Sequence, residues 1–135
     1  MTSFVEYSSV TQVRGPLLVV SALMEIGAGL ILLAAPAMAI DLVFDFPGMD
    51  AGVVIGRVAG AALLSIGAAC WLARHDGGST TGRALVSGLL TYNVAIVALV
   101  VSSSLGSPGP ILWAIAALHG AMAIWCAWFT KRGPL

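Results

Sequence analysis

Apolar residues run along this chain in four long blocks, and most of the charged and turn-forming residues fall between them. The blocks lie at roughly 17–40, 53–73, 84–102 and 111–129. Each is long enough to cross a hydrocarbon core, which takes about 20 helical residues. None shows the strict apolar–polar alternation that a membrane strand requires. The pattern predicts an all-α fold, a four-helix transmembrane bundle, and the Gly and Ala residues inside the blocks suit close helix approach in lipid. It divides the chain into an N-terminal segment at 1–16, the helical domain at 17–129 and a tail at 130–135.

Composition sharpens this. Of 135 residues, 59% are hydrophobic and 9% charged, too few charges to cover the surface of a water-soluble domain of this size. Mean hydropathy is +1.01. Arg14, Arg74, Arg83, Lys131 and Arg132 flank the blocks so that an even number of crossings puts all five on one side, leaving Arg57 as the sixth cation. The opposite connections carry Asp41, Asp45 and Asp50 and no cation. By the positive-inside rule both termini are expected in the cytoplasm, in a bacterial inner membrane. "RGPLLVVSALMEIGAGLILLAAPAMAID" also has the outline of a secretory signal, with Ala37 and Ala39 before its end. Its apolar run is longer than a signal core and contains Glu25, which favours a retained span.

Local signals refine the elements. Pro16 suits the first turn of a helix, and Pro36 is expected to kink the far end of the first span. Residues 1–16 read as a short interfacial helix or a frayed end. The loop with Phe44 and Phe46 is expected along the headgroup layer, and "RHDGGSTTGR" is a turn. Cys70 and Cys126 are too widely spaced for a redox motif and read as packing thiols. Gly52, Gly56 and Gly60 recur every four residues and form a helix-packing face, used within the bundle or between copies.

Chemistry is concentrated at mid-span. Glu25 stands 11 residues after Arg14, roughly 16 Å along the helix axis. Its neighbours one turn away are Ser21, Ala22, Ala28 and Gly29, so the acid shares a small-residue face that turns toward other helices. Asn93, with Tyr92 beside it, reaches the same level from the third span, and His119 does so from the fourth, among Ala116, Met122 and Ala123. Ser65 lies midway along the second span. Arg57 enters that span near one end, within reach of Glu25 or, snorkelling outward, of Asp50 or a lipid phosphate. Ionisable groups at such depth are costly and mark sites by default. Glu25, Arg57, Tyr92, Asn93 and His119 are therefore the candidate ligand or proton site, against the alternative that they satisfy one another structurally. The two histidines stand at different depths and no spacing supplies three ligands, so neither a metal nor any other cofactor is indicated. Nothing marks a nucleic-acid partner or a nucleotide-binding loop.

The first two spans read "ExGxGLxLLxxP" from Glu25 to Pro36 and "GRxxGxxLLxxGxxxW" from Gly56 to Trp71. This texture, over about half the chain, resembles small four-helix bacterial membrane proteins of the DoxX-like kind and related uncharacterised families. The resemblance implies an inner-membrane bundle, a subunit of a larger membrane system, and carries over no catalytic residue. The chain is also similar in plan to the small multidrug resistance transporters, whose first span holds one essential glutamate where Glu25 stands. Their third- and fourth-span patterns are not found here, and this chain has a strong charge bias that many of them lack.

Two functional classes follow. One is a non-catalytic accessory or assembly subunit that packs with itself or a membrane partner through the glycine face. The other is an intramembrane site centred on Glu25 for a lipophilic small molecule or a proton-coupled substrate, as in a transporter, or an enzyme with Glu25 and His119 as acid and base. Sequence leaves open whether the chain is an enzyme; its one unavoidable partner is the lipid bilayer.

Overall fold

The computed structural model describes the backbone of residues 2–44, 50–103 and 109–131, with side chains from residue 15 onward except Phe44, Ala51 and Ser103. Five α-helices follow in order: α1 (Thr2–Ala34), α2 (Pro36–Phe44), α3 (Asp50–Leu72), α4 (Thr80–Ser103) and α5 (Pro110–Lys131). A 3-10 turn, Ala73–His75, follows α3, and there is no strand among the described residues. Four stretches are long and apolar enough to cross a membrane: Gly15–Ala34, Gly52–His75, Thr80–Ser102 and Pro110–Lys131. The all-α, four-span reading holds, and the protein is a multi-pass membrane protein in outline.

Two boundaries differ from expectation, and proline explains one of them. The first span ends at Ala34, and Pro36 opens the separate helix α2. Proline has no N–H to give Leu32 and its ring crowds that carbonyl, so the helix cannot continue straight through it. Hydrogen bonds from Ala35 N to Ile31 O (2.8 Å) and Ala39 N to Ala35 O (3.0 Å) carry the backbone across the break. Pro16, expected in a first turn, instead lies inside α1, which runs unbroken from Thr2. The readings placed on residues 45–49, 104–108 and 132–135 lie outside the described residues, as does the side chain of Arg14.

The turn between α3 and α4 is tightly built. Ser79 caps α4, its Oγ accepting from the N–H of Gly82 at 3.0 Å while its carbonyl accepts from Arg83 N at 3.0 Å. A side chain at Gly82 would collide with the carbonyl of Asp76, which is why glycine stands there. Arg74 folds back on α3, donating from Nη1 to Trp71 O at 2.6 Å with its guanidinium 4.4 Å from the Trp71 ring centre.

α1 and α3 are antiparallel and meet backbone to backbone. A Cβ added at Gly60 would lie 2.8 Å from Gly29 O, and one added at Gly67 would lie 3.1 Å from Ala22 O and 3.0 Å from Ile26 N. Gly56 faces Pro36 and Gly52 faces Ile40, so α2 covers the far end of the same face. The glycine face of the second span is thus occupied within the chain, by α1 and α2. α4 and α5 form a second antiparallel pair. The two pairs share one core, in which Leu17, Leu18 and Ala22 of α1 and Cys70 of α3 meet Val86 and Leu89 of α4 and Met122, Cys126 and Phe129 of α5. That core lies in the half of the bundle nearest the Ala73–His75 turn. Since lipid is as apolar as leucine, close packing rather than expulsion from water holds it together.

Candidate functional site

The packing of α1 on α3 determines where the acid points. Ala22, Ile26 and Gly29 lie on the face that meets α3. One step around the helix, Ser21 and Glu25 occupy the adjoining face, and both are buried, with relative exposures of 2% and 5%. Glu25 crosses to the second helix pair: its carboxyl accepts a side-chain hydrogen bond from the hydroxyl of Tyr92 on α4. Cys70 of α3 is buried in the core that α1 shares with the second pair.

Tyr92 is followed by Asn93, and the two diverge around α4 by the 100° step of a helix. Asn93, 2% exposed, turns to α5. Its Nδ2 donates to Leu89 O at 2.7 Å, and its Oδ1 lies 2.8 Å from Nδ1 of His119. A backbone carbonyl can only accept, so the amide's orientation is settled and Oδ1 faces the imidazole. The ring must then donate from Nδ1, which leaves Nε2 as the acceptor nitrogen of the neutral histidine. Tyr92 and His119 also touch directly, edge to face, with ring centres 5.7 Å apart and planes at 80°. The result is one contiguous cluster from three spans: Glu25, hydrogen-bonded to Tyr92, which abuts His119, which is hydrogen-bonded to Asn93. Tyr92 and His119 are half-buried.

Four of the five candidate site residues therefore come together. Arg57 does not: it is exposed on α3. Ser65, expected at the same depth, faces outward and bonds to its own helix, donating to Ala61 O at 3.0 Å. The glycines take α3 against α1 through Gly56 and Gly60, so the next residue in sequence, Arg57, is turned away. His75 lies in the exposed turn. Cys70 and Cys126 are free, buried thiols of the core. Among the described residues no three His, Cys, Asp or Glu side chains gather as a metal site.

One member of the site carried only a faint signal in sequence. Ser21 is one turn before Glu25 on the same face, and its Oγ is the one buried side-chain polar atom without a hydrogen-bond partner among the described residues. Serine is common in membrane helices and usually bonds back to its own helix, so residue type alone does not distinguish it.

Chemically, the cluster contains three groups able to take or give a proton, two of them joined by a hydrogen bond and two by ring contact. Tyr92 is the group that contacts both the carboxyl of Glu25 and the ring of His119. Comparison with known proteins identifies no relative: no family model, no curated protein and no solved structure matches the chain.

Proposed function

We propose that this is a small multi-pass protein of a bacterial inner membrane whose cluster of Glu25, Tyr92, His119 and Asn93 is a proton-exchanging site, coupled to movement of a lipophilic or other small solute. The observation that carries the reading is the convergence itself. Three spans each bring a proton-active side chain to mid-bundle, and Tyr92 contacts both of the others. Polar groups inside a membrane are expensive, and those that persist line pathways and relays. The five cations flanking the spans on one side support cytoplasmic termini. The motif texture of the first two spans supports kinship with the DoxX-like bundles.

The accessory-subunit reading drew on the glycine face. With Gly56 and Gly60 covered inside the chain, an assembly role would have to use another surface, and the polar cluster carries the argument better. The acid/base-enzyme reading needs Glu25 and His119 to act as a pair, and the contacts shown run from each of them to Tyr92.

Infrared difference spectra of the purified protein in lipid nanodiscs, taken between acidic and alkaline buffers, test the proposal. The expected result is a carboxyl C=O band that is lost in Glu25→Gln and displaced in Tyr92→Phe. Identical difference spectra for the wild type and Glu25→Gln would show that Glu25 exchanges no proton, and the reading would be abandoned.

A further inference from the structure

We infer that Ser21 and Glu25 together hold a buried water molecule, which extends the cluster by one helical turn toward the Ala73–His75 end. The inference rests on the reading of the cluster as a proton site and adds a ligand to it.

Two kinds of hydroxyl occur among the described residues of the spans. Within the spans, Ser65, Ser87, Thr91, Ser102 and Thr130 are exposed, and each donates to a carbonyl three or four residues back on its own helix, at 2.9–3.1 Å. With lipid beside them, their own backbone is the available acceptor. Ser21 is in the same kind of helix and 2% exposed, yet its Oγ makes no such bond. A hydroxyl buried without a partner costs about 1–3 kcal/mol, so a persistent one calls for a partner of another kind.

That partner must fit the space. Ser21 and Glu25 are one turn apart on one face, with Cβ atoms about 5–6 Å apart. Ser21 Oγ makes no direct bond to the carboxyl, and a single water between the two would partner both. Water needs two to four polar partners in a buried position. Ser21 Oγ offers a donor and an acceptor, and the Glu25 carboxyl has capacity beyond the one bond from Tyr92. Ser21 and Glu25 are 2% and 5% exposed, so a water held there is shielded from lipid and bulk solvent. Water is also the guest that a proton relay uses: it accepts a proton from one neighbour as it donates one to the next, with no net bond change.

Infrared spectroscopy in the O–H stretching region, with exchange into water of the heavier oxygen isotope, detects such a molecule in nanodisc-embedded protein. The wild type should show an isotope-sensitive band of a weakly bonded water that persists in Ser21→Thr, is lost in Ser21→Val and shifts or disappears in Glu25→Gln. Ser21→Ala, which adds no bulk, should weaken or abolish the same band, and helical circular dichroism confirms folding in each case. Absence of an isotope-sensitive band in the wild type, or an unchanged band in both Ser21→Val and Ser21→Ala, would overturn the inference. The band is readable whether or not Glu25 exchanges protons with bulk, so the two proposals fail separately.

Discussion

The contact between α1 and α3 and the contact between the two helix pairs are opposite solutions to association in lipid. At the first, glycines remove side chains altogether: Gly60 lies under the carbonyl of Gly29, and Gly67 lies under Ala22 and Ile26. At the second, side chains fill the gap, and the polar ones make the connection, Glu25 to Tyr92 and Asn93 to His119. Dispersion at short range drives the glycine contact, which has no room to change. Longer side chains with rotatable bonds bridge the second contact. The titratable side chains of the cluster, Glu25, Tyr92 and His119, all belong to the second contact. The first pair thus acts as a rigid frame that aims Ser21 and Glu25 at the second.

The sharpest way to break this comparison is to put a side chain into the glycine contact. Gly60→Leu forces backbone apart at Gly29 and should abolish the folded state, read as lost protection in proteolysis of detergent-solubilised protein. Gly60→Ala should destabilise by about 1–3 kcal/mol, the usual cost of overpacking, measured as a shift of the denaturation midpoint in mixed SDS micelles. Wild-type stability in Gly60→Ala would mean that the α1–α3 contact is less close than described.

Changes at the polar contact should be milder. Tyr92→Phe and Asn93→Leu each remove an interhelical hydrogen bond, worth about 0.6 kcal/mol on average in membrane proteins and up to about 1.7. A double-mutant cycle on Glu25→Gln and Tyr92→Phe, followed by steric trapping, should give a coupling of that size. A zero coupling would remove Tyr92 as the partner of Glu25. In histidine-labelled protein, nitrogen NMR should find Nδ1 of His119 protonated in the neutral ring, with the preference lost in Asn93→Leu.

The smallest effects are expected where glycine faces outward. A Cβ at Gly88 of α4 or Gly120 of α5 meets nothing within 4 Å. Gly88→Ala and Gly120→Ala should be neutral or stabilising, by about 0.5–1 kcal/mol from helix propensity alone, in the same micelle titration. Marked destabilisation by either would reveal a second buried face, and with it an interface between chains.

Much of this was legible without coordinates. Span number follows from block length, because the thickness of the bilayer imposes it. Glu25, Asn93 and His119 at one level follow from counting residues at a constant helical rise. The small-residue face of Glu25 follows from the same periodicity, since residues three and four apart are neighbours on any helix. Pro36 announced a break through its missing N–H, although Pro16, with the same chemistry, is absorbed inside α1. The glycine spacing of α3 marked a packing face but not its occupant.

What the chain's order could not decide was rotation. Tyr92 and Asn93 are adjacent in sequence and equal in depth, and either is a credible partner for Glu25. The turn of α4 about its own axis separates them, sending the phenol to α1 and the amide to α5. The same holds for Arg57 and Ser65: depth made both candidates, and the docking of Gly56 and Gly60 against α1 and α2 turned both outward. Depth is a property of one helix in a slab of known thickness, so sequence determines it. Azimuth is settled between helices, by which small residues let two backbones approach, and only the tertiary structure decided that Ser21 and Glu25 share a buried face with Tyr92.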